Sequence, residues 1–377
     1  HWLVQLKESP SLGGTKKGKI ELQNKNICRR DEHIKVIVSV DGGRRNLGMK
    51  KIVTFFVFLC VFVGNVASIA CSSQSADTEK VKLALDWFPN SNHLGLYIAE
   101  ERGYFAEENL EVEIYTPSDP STVLQTVASG ADDFGMNYQP DVLIARGEGV
   151  PVVSILGMVQ HPLNSMMVLH SSAYDSPGDL KGKKVGYPGI PWNEDALTTM
   201  LQADGLSGLE DIELVNVGWE LGTSIMSGRV DAIIGAYFTH ESISLGNEGY
   251  PVNVLRMEEW GVPDYYELVM VTSEKYLADN PGVVERFSRA VIKGYQDAIM
   301  DPQGGVDILK KHAPEIDEKI DRPGADLLKV LWQDENGDFG KQEEGKWVAF
   351  ATWMQEKGLL DKGIDARDAY FNEYTNN

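Results

Sequence analysis

Cysteine is nearly absent from this sequence. Three occur in 377 residues, Cys28, Cys60 and Cys71, and none follows residue 71. The long C-terminal portion therefore has no means of building a disulfide framework, a thiolate zinc site or a cysteine nucleophile. Other catalytic signatures are missing too. There is no Gly-x-Ser-x-Gly elbow, no Gly-x-x-x-x-Gly-Lys-Ser/Thr phosphate loop and no His-Glu-x-x-His zinc pair. His93, His161, His170, His240 and His312 are scattered, which suits caps and solvent contacts better than a metal. Positive charge is scarce. The formal net charge is −21, and residues 1–51 hold 12 Lys/Arg against 5 Asp/Glu, an excess of seven that leaves −28 on the remainder. So acidic a chain offers no basic face to nucleic acid. It suits an exported protein that must not adhere to anionic lipid. The clustered acids Glu315, Asp317, Glu318 and Asp321 read as a solvated face.

What is present begins with an address. Residues 1–48 carry basic clusters and glycine pairs, with no periodicity that predicts a helix or strand, and are expected to be a non-native or mis-annotated leader. Met49 starts a different pattern. Lys50-Lys51 is a positive n-region, Ile52–Val63 an apolar run and Ser68-Ile69-Ala70-Cys71 a small-residue cleavage site. The apolar run is shorter than the roughly 20 residues that span a bilayer, and Gly64-Asn65 breaks it. Residues 49–70 thus read as a lipoprotein signal peptide, with Cys71 the lipidated first residue and residues 71–79 a polar tether. Ser68 stands where a lipobox usually has leucine.

From Lys80 the pattern is strand–helix alternation. Strands are expected at Val81–Leu85, Leu110–Tyr115, Ala131–Asn137, Val150–Val159 and Met166–Leu169, with helical segments between them. A second series of strands runs through Val185, Ile212–Val217, Val230–Gly235 and Val252–Leu255. The chain then returns through an apolar strand at Tyr266–Ser273 to helices at Pro281–Met300, Gly304–His312, Ala325–Trp332 and Glu344–Lys357. This order predicts an α/β protein with mixed, mostly parallel sheets flanked by helices. One excursion and return predicts two lobes joined by two hinge strands: residues 80–170 with 266–377, and residues 171–265.

The first strand ends unusually. Lys82-Leu83-Ala84-Leu85 gives way to Asp86-Trp87-Phe88-Pro89-Asn90-Ser91-Asn92-His93. An acid, an indole and two amides at one strand end mark the lip of a sheet, where α/β proteins hold small ligands. The bland reading of Trp87 is packing behind a turn. Asn90 and Asn92 serve equally well as turn and helix-cap residues.

Leu85–Tyr97 resembles the thiamine-pyrimidine family, the substrate-binding lipoproteins of ABC importers that salvage pyrimidine precursors of thiamine. Gly103-Tyr104-Phe105, Asp132–Gln139, Pro151–Ser154, Leu180–Gly186 and Gly228–Ala232 extend the resemblance over roughly residues 80–310. The resemblance implies a two-lobed fold of the periplasmic-binding-protein type (type II), an aminopyrimidine ligand, a permease partner, a membrane anchor through lipid, an extracytoplasmic location, no enzyme activity and no cofactor. Nitrate-, sulfonate- and taurine-binding proteins share several motifs, so another small solute is an alternative. A second alternative comes from the fungal pyrimidine-phosphate synthases of the same branch. Their cysteine-rich iron motif has no counterpart here, and Tyr138-Gln139-Pro140-Asp141 stands where their substrate histidine is expected.

A flat, amine-bearing ring needs aromatic faces and polar groups at its edge. Trp87 supplies a face; Asp86, Asn90 or Asn92 can read the edge. Tyr138 and Gln139 close a neighbouring strand. Trp192 and Glu194 open a helix in the second lobe, where an acid in the first turn also suits the macrodipole. Tyr237 and Glu241 follow another strand end.

Overall fold

A computed structural model describes residues 2–8, 18–24, 78–361 and 363–375. The expected signal peptide, Cys71 and the tether up to residue 77 lie outside the described residues. The chain divides into two compact units, residues 1–75 and 76–377.

In the first unit, β1 (Trp2–Glu8) pairs antiparallel with β2 (Gly18–Asn24), Trp2 opposite Asn24 and Glu8 opposite Gly18. This corrects the expectation that residues 1–48 hold no regular structure. The alternation Lys19-Ile20-Glu21-Leu22-Gln23 is the strand signal that the neighbouring basic clusters obscured.

The second unit contains two five-stranded sheets. One has the order β4-β3-β5-β12-β6, from β3 (Glu79–Ala84), β4 (Leu110–Tyr115), β5 (Phe134–Asn137), β6 (Val152–Val159) and β12 (Leu268–Ser273). The other has the order β11-β7-β10-β8-β9, from β7 (Asn164–Leu169), β8 (Lys184–Tyr187), β9 (Glu213–Asn216), β10 (Ala232–Tyr237) and β11 (Val252–Arg256). In each sheet two ladders are parallel and two antiparallel. The antiparallel ladders involve β7 and β12, the strands that begin where the chain passes between sheets. These crossings are Gln160–Leu163 and Met257–Glu267. The first crossing comes earlier than expected: β7 joins the second sheet, although a boundary at residue 170 assigned it to the first lobe. Its pairing with β10 and β11 decides the matter.

Burial holds the first sheet against its helices. Leu83, Phe134, Met136 and Met270 pack with Phe287 and Val291 of helix Pro281–Met300, and Phe134 stacks on Phe287 with ring centroids 3.8 Å apart. That long helix crosses helix Leu94–Glu101 very closely. A Cβ on Gly294 would lie 2.1 Å from the Gly95 carbonyl oxygen, so only glycine fits. The next residue, Tyr295, donates its phenol to the Asn92 carbonyl at 2.7 Å. The buried helix thereby fixes the turn that follows β3.

Candidate functional site

Parallel strands deliver their carboxyl ends to the space between the sheets. On the first sheet, β3 and β5 present Asp86 and Tyr138; on the second, β8 and β10 present Tyr187 and Tyr237.

Asp86 is buried and fully engaged. Its Oδ2 accepts from the Tyr138 hydroxyl at 3.1 Å, and its Oδ1 lies 2.9 Å from His93 Nε2. His93 Nδ1 accepts from the Asn90 backbone N–H at 3.1 Å, so Nε2 carries the proton and donates to Asp86. Burial raises the Tyr138 phenol well above its usual range, and the Asp86, Asp141 and Glu267 carboxyls add to the effect.

A second carboxylate closes the floor. Glu267 is 2% exposed. Its Oε2 accepts from the backbone N–H groups of Leu163 at 2.7 Å and Asn164 at 2.9 Å and from the Tyr265 hydroxyl at 3.1 Å; its Oε1 accepts from the Tyr237 hydroxyl at 2.8 Å. One side chain thus ties both crossings to the end of β10. Burial pushes its carboxyl up, against the pull of those four donors. Asp141, in the first turn of helix Gln139–Gly147, is raised to about 6, mainly by burial and further by Glu267.

Asp141 therefore leaves a signature in pH. A carboxyl whose folded-state value is raised holds its proton more tightly folded than unfolded. The stability it confers is complete below about pH 4 and is lost as pH rises through about 6. Asp141→Asn should remove that loss. From acid to neutral pH the variant should gain on the order of 2 kcal/mol relative to the parent, read as the difference in urea midpoints at the two pH values. Parallel pH profiles for the two proteins would refute the assignment.

The lip is aromatic. Trp87 is 40% exposed, meets Phe88 edge-on at 5.7 Å and faces Trp219 at 5.4 Å between ring centroids, tilted by 48°. Trp219 is 69% exposed and follows β9, so the two indoles come from different sheets.

The other expected residues fall into two groups. Gln139 is buried beside the floor, with Oε1 accepting from Tyr266 N at 2.7 Å and Nε2 without a protein partner. Glu194 engages the Tyr187 phenol and raises its pKa. These join Asp86, Trp87, Tyr138 and Tyr237 around the cleft. Asn90 is spent locally: Oδ1 accepts from Asn92 N and Nδ2, and Nδ2 donates to the Phe88 carbonyl, which makes it the cap of the Ser91–His93 turn. Asn92 hands its Nδ2 to that cap and keeps a buried, unpartnered Oδ1. Trp192 is buried against Tyr265 and Phe350, both edge-on, and acts as core. Glu241 caps the backbone N–H of Tyr237 at 2.7 Å and pairs with His240 at 2.9 Å. Sequence reasoning passed over Glu267, Asp141, Asn193 and Trp219. A lone acid inside the apolar run Tyr265–Ser273 was the available signal for Glu267.

Residues 90–304 match the family described as NMT1/THI5 like. The formylaminopyrimidine-binding protein of Halalkalibacterium halodurans is 39% identical over 81% of this chain and 94% of its own length. A 4-amino-5-hydroxymethyl-2-methylpyrimidine phosphate synthase of Aspergillus parasiticus is 26% identical over 79% of this chain and 87% of its own. Among solved structures, the alkanesulfonate-binding protein SsuA of Xanthomonas axonopodis pv. citri superposes with a TM-score of 0.58 at 15% identity, covering 79% of this chain and all of that one. The periplasmic-binding-protein-like α/β fold follows from that likeness.

Proposed function

Because this chain belongs to the NMT1/THI5 like family, we propose that it is the extracytoplasmic solute-binding component of an ABC importer and that its solute is a thiamine-related aminopyrimidine. The observation that carries the reading is the pairing of two exposed indoles, Trp87 and Trp219, above a floor of carboxyls and phenols. Indole faces suit a flat ring, and acids suit an amine. Nitrate or a sulfonate would want cations or free helix N-termini; Asp86, Asp141 and Glu267 repel an anion instead. A synthase reading lacks its metal ligands, since no cysteine follows residue 71.

The two sheets act as lobes that close over the ligand, with Gln160–Leu163 and Met257–Glu267 as the hinge. Residues 49–70 direct export, Cys71 carries the lipid, and the residues from 71 up to the start of β3 at Glu79 tether the binding unit to the membrane beside its permease. Intact mass of the native protein tests this end of the chain: a lipidated Cys71 terminus supports it, and a product retaining residues 1–48 overturns it.

The ligand is tested by thermal shift with the formylated aminomethylpyrimidine, its hydroxymethyl form, thiamine, taurine and nitrate. At 100 times Kd a ligand adds about 2.7 kcal/mol, so the cognate compound raises the melt by several degrees. A shift with taurine and none with any pyrimidine would overturn the reading.

A further inference from the structure

Among the described residues, Asn193 is the least satisfied buried polar side chain. It is 0% exposed, yet neither Oδ1 nor Nδ2 has a hydrogen-bond partner in the protein. A buried polar group left unpaired costs about 1–3 kcal/mol, and native proteins keep few of them. Both ends of one amide standing unused is a deficit that something outside the chain is positioned to meet.

The local structure commits the backbone here and packs the amide against β10. Asn193 lies in the first turn of helix Pro191–Ala203 and donates its backbone N–H to the Ile190 carbonyl at 3.1 Å, so the backbone is committed while the side chain is not. Its neighbour on β10 is Gly235, where the ladder between β10 and β7 shifts register. Gly235 has φ +98°, and a Cβ there would stand 3.4 Å from Asn193 Oδ1 and 2.7 Å from the Pro188 ring. The contact that requires glycine here is with Pro188, while the amide oxygen packs at ordinary distance from the bulge. Two residues further on is Tyr237, which binds Glu267, and the next position along the helix is Glu194, which binds Tyr187. Asn193 thus sits beside the groups that end β8 and β10.

We propose that Asn193 reads the hydrogen-bonding edge of the ligand ring, its Nδ2 donating to a ring nitrogen and its Oδ1 accepting from the adjacent exocyclic amine. The pairing is the one by which an asparagine reads the amine and ring nitrogen of adenine. A 4-aminopyrimidine presents the same donor beside the same acceptor. The assignment rests on the aminopyrimidine reading above and adds to it a specificity residue on the helix that follows β8.

The test uses the full chain, isothermal titration and two probes: 4-amino-5-formylaminomethyl-2-methylpyrimidine and its counterpart with hydrogen at position 4. The parent should prefer the amino compound by roughly tenfold or more. In Asn193→Ala that preference should collapse towards onefold, chiefly through loss of affinity for the amino compound. Asn193→Leu controls for folding, because it fills the volume and removes the unpaired amide. Its ligand-free melting temperature should equal or exceed the parent's. If the parent binds neither probe, the aminopyrimidine reading fails and this inference with it. If the parent binds and Asn193→Ala keeps the full preference for the amine, the inference alone fails. A ligand-free Asn193→Leu that melts well below the parent would make the amide structural and would likewise overturn it.

Discussion

Trp87→Ala should weaken pyrimidine binding by about a hundredfold while leaving the ligand-free protein as stable as the parent. Stacking of a heteroaromatic ring on an aromatic side chain contributes about 1–3 kcal/mol by alanine substitution, and the indole's position puts it at the upper end. Trp87 has 40% of its surface open to solvent and makes its aromatic contacts with Phe88 and Trp219, themselves exposed. Such a residue contributes little to folding, since an exposed apolar surface gains little on burial. So large an apolar side chain left in solvent at a strand end, in contact with an indole from the other sheet, is better explained by a ligand than by packing. Titration calorimetry gives the affinity and a melt gives the stability. An unchanged affinity would show the indole to be a rim contact. A fall in melting temperature of the ligand-free protein would show it to be core.

The contrast between Trp87 and Trp192 shows what a single sequence reveals about a site. Both are indoles beside polar residues, Trp87 at a strand end and Trp192 at a helix start, and both read as candidate ligand walls, Trp87 the more firmly. One is exposed at the lip; the other is buried against Tyr265 and Phe350. The difference depends on Tyr265 and Phe350, which lie far away in sequence, and no local pattern carries it. Strand ends fared better. The polar break after β3 is visible because a buried strand cannot continue through Asp86, Pro89 and Asn90. Helix Glu344–Lys357 and strand Leu110–Tyr115 were also legible to the residue, because the terminal Gly358 and the strict alternation of Leu110–Tyr115 are local signals. Amides hid their roles. Asn90, Asn92 and Asn193 look alike in sequence; hydrogen-bond partners spent the first, half-spent the second and left the third free. The crossing at Gln160–Leu163 was displaced for a similar reason. Val152–Val159 and Asn164–Leu169 are both apolar strands, and only their ladder partners show that they belong to different sheets.

Glu267→Ala should damage the fold of the binding unit by several kcal/mol, since each buried donor left without an acceptor costs about 1–3 kcal/mol. The reasoning is a count of what the carboxylate leaves behind. Two backbone N–H groups, those of Leu163 and Asn164, and two phenols, those of Tyr237 and Tyr265, all donate to it. Alanine supplies no acceptor, and each buried donor then carries its own desolvation cost. These donors belong to the first crossing, the second crossing and the end of β10, so the loss also loosens the joint between the sheets. Glu267→Gln should cost less, because an amide oxygen can still accept at one position while its nitrogen faces a donor at the other. It should also lower the pKa of Asp141, which the Glu267 charge helps to raise. Asp141→Asn and Glu267→Gln should therefore combine non-additively at neutral pH, as neighbouring groups do. Urea unfolding of the two single variants and the double variant measures that coupling. If Glu267→Ala unfolds within 1 kcal/mol of the parent, as surface changes usually do, the carboxylate does not hold the crossings together. The tyrosines would then owe their placement to packing alone.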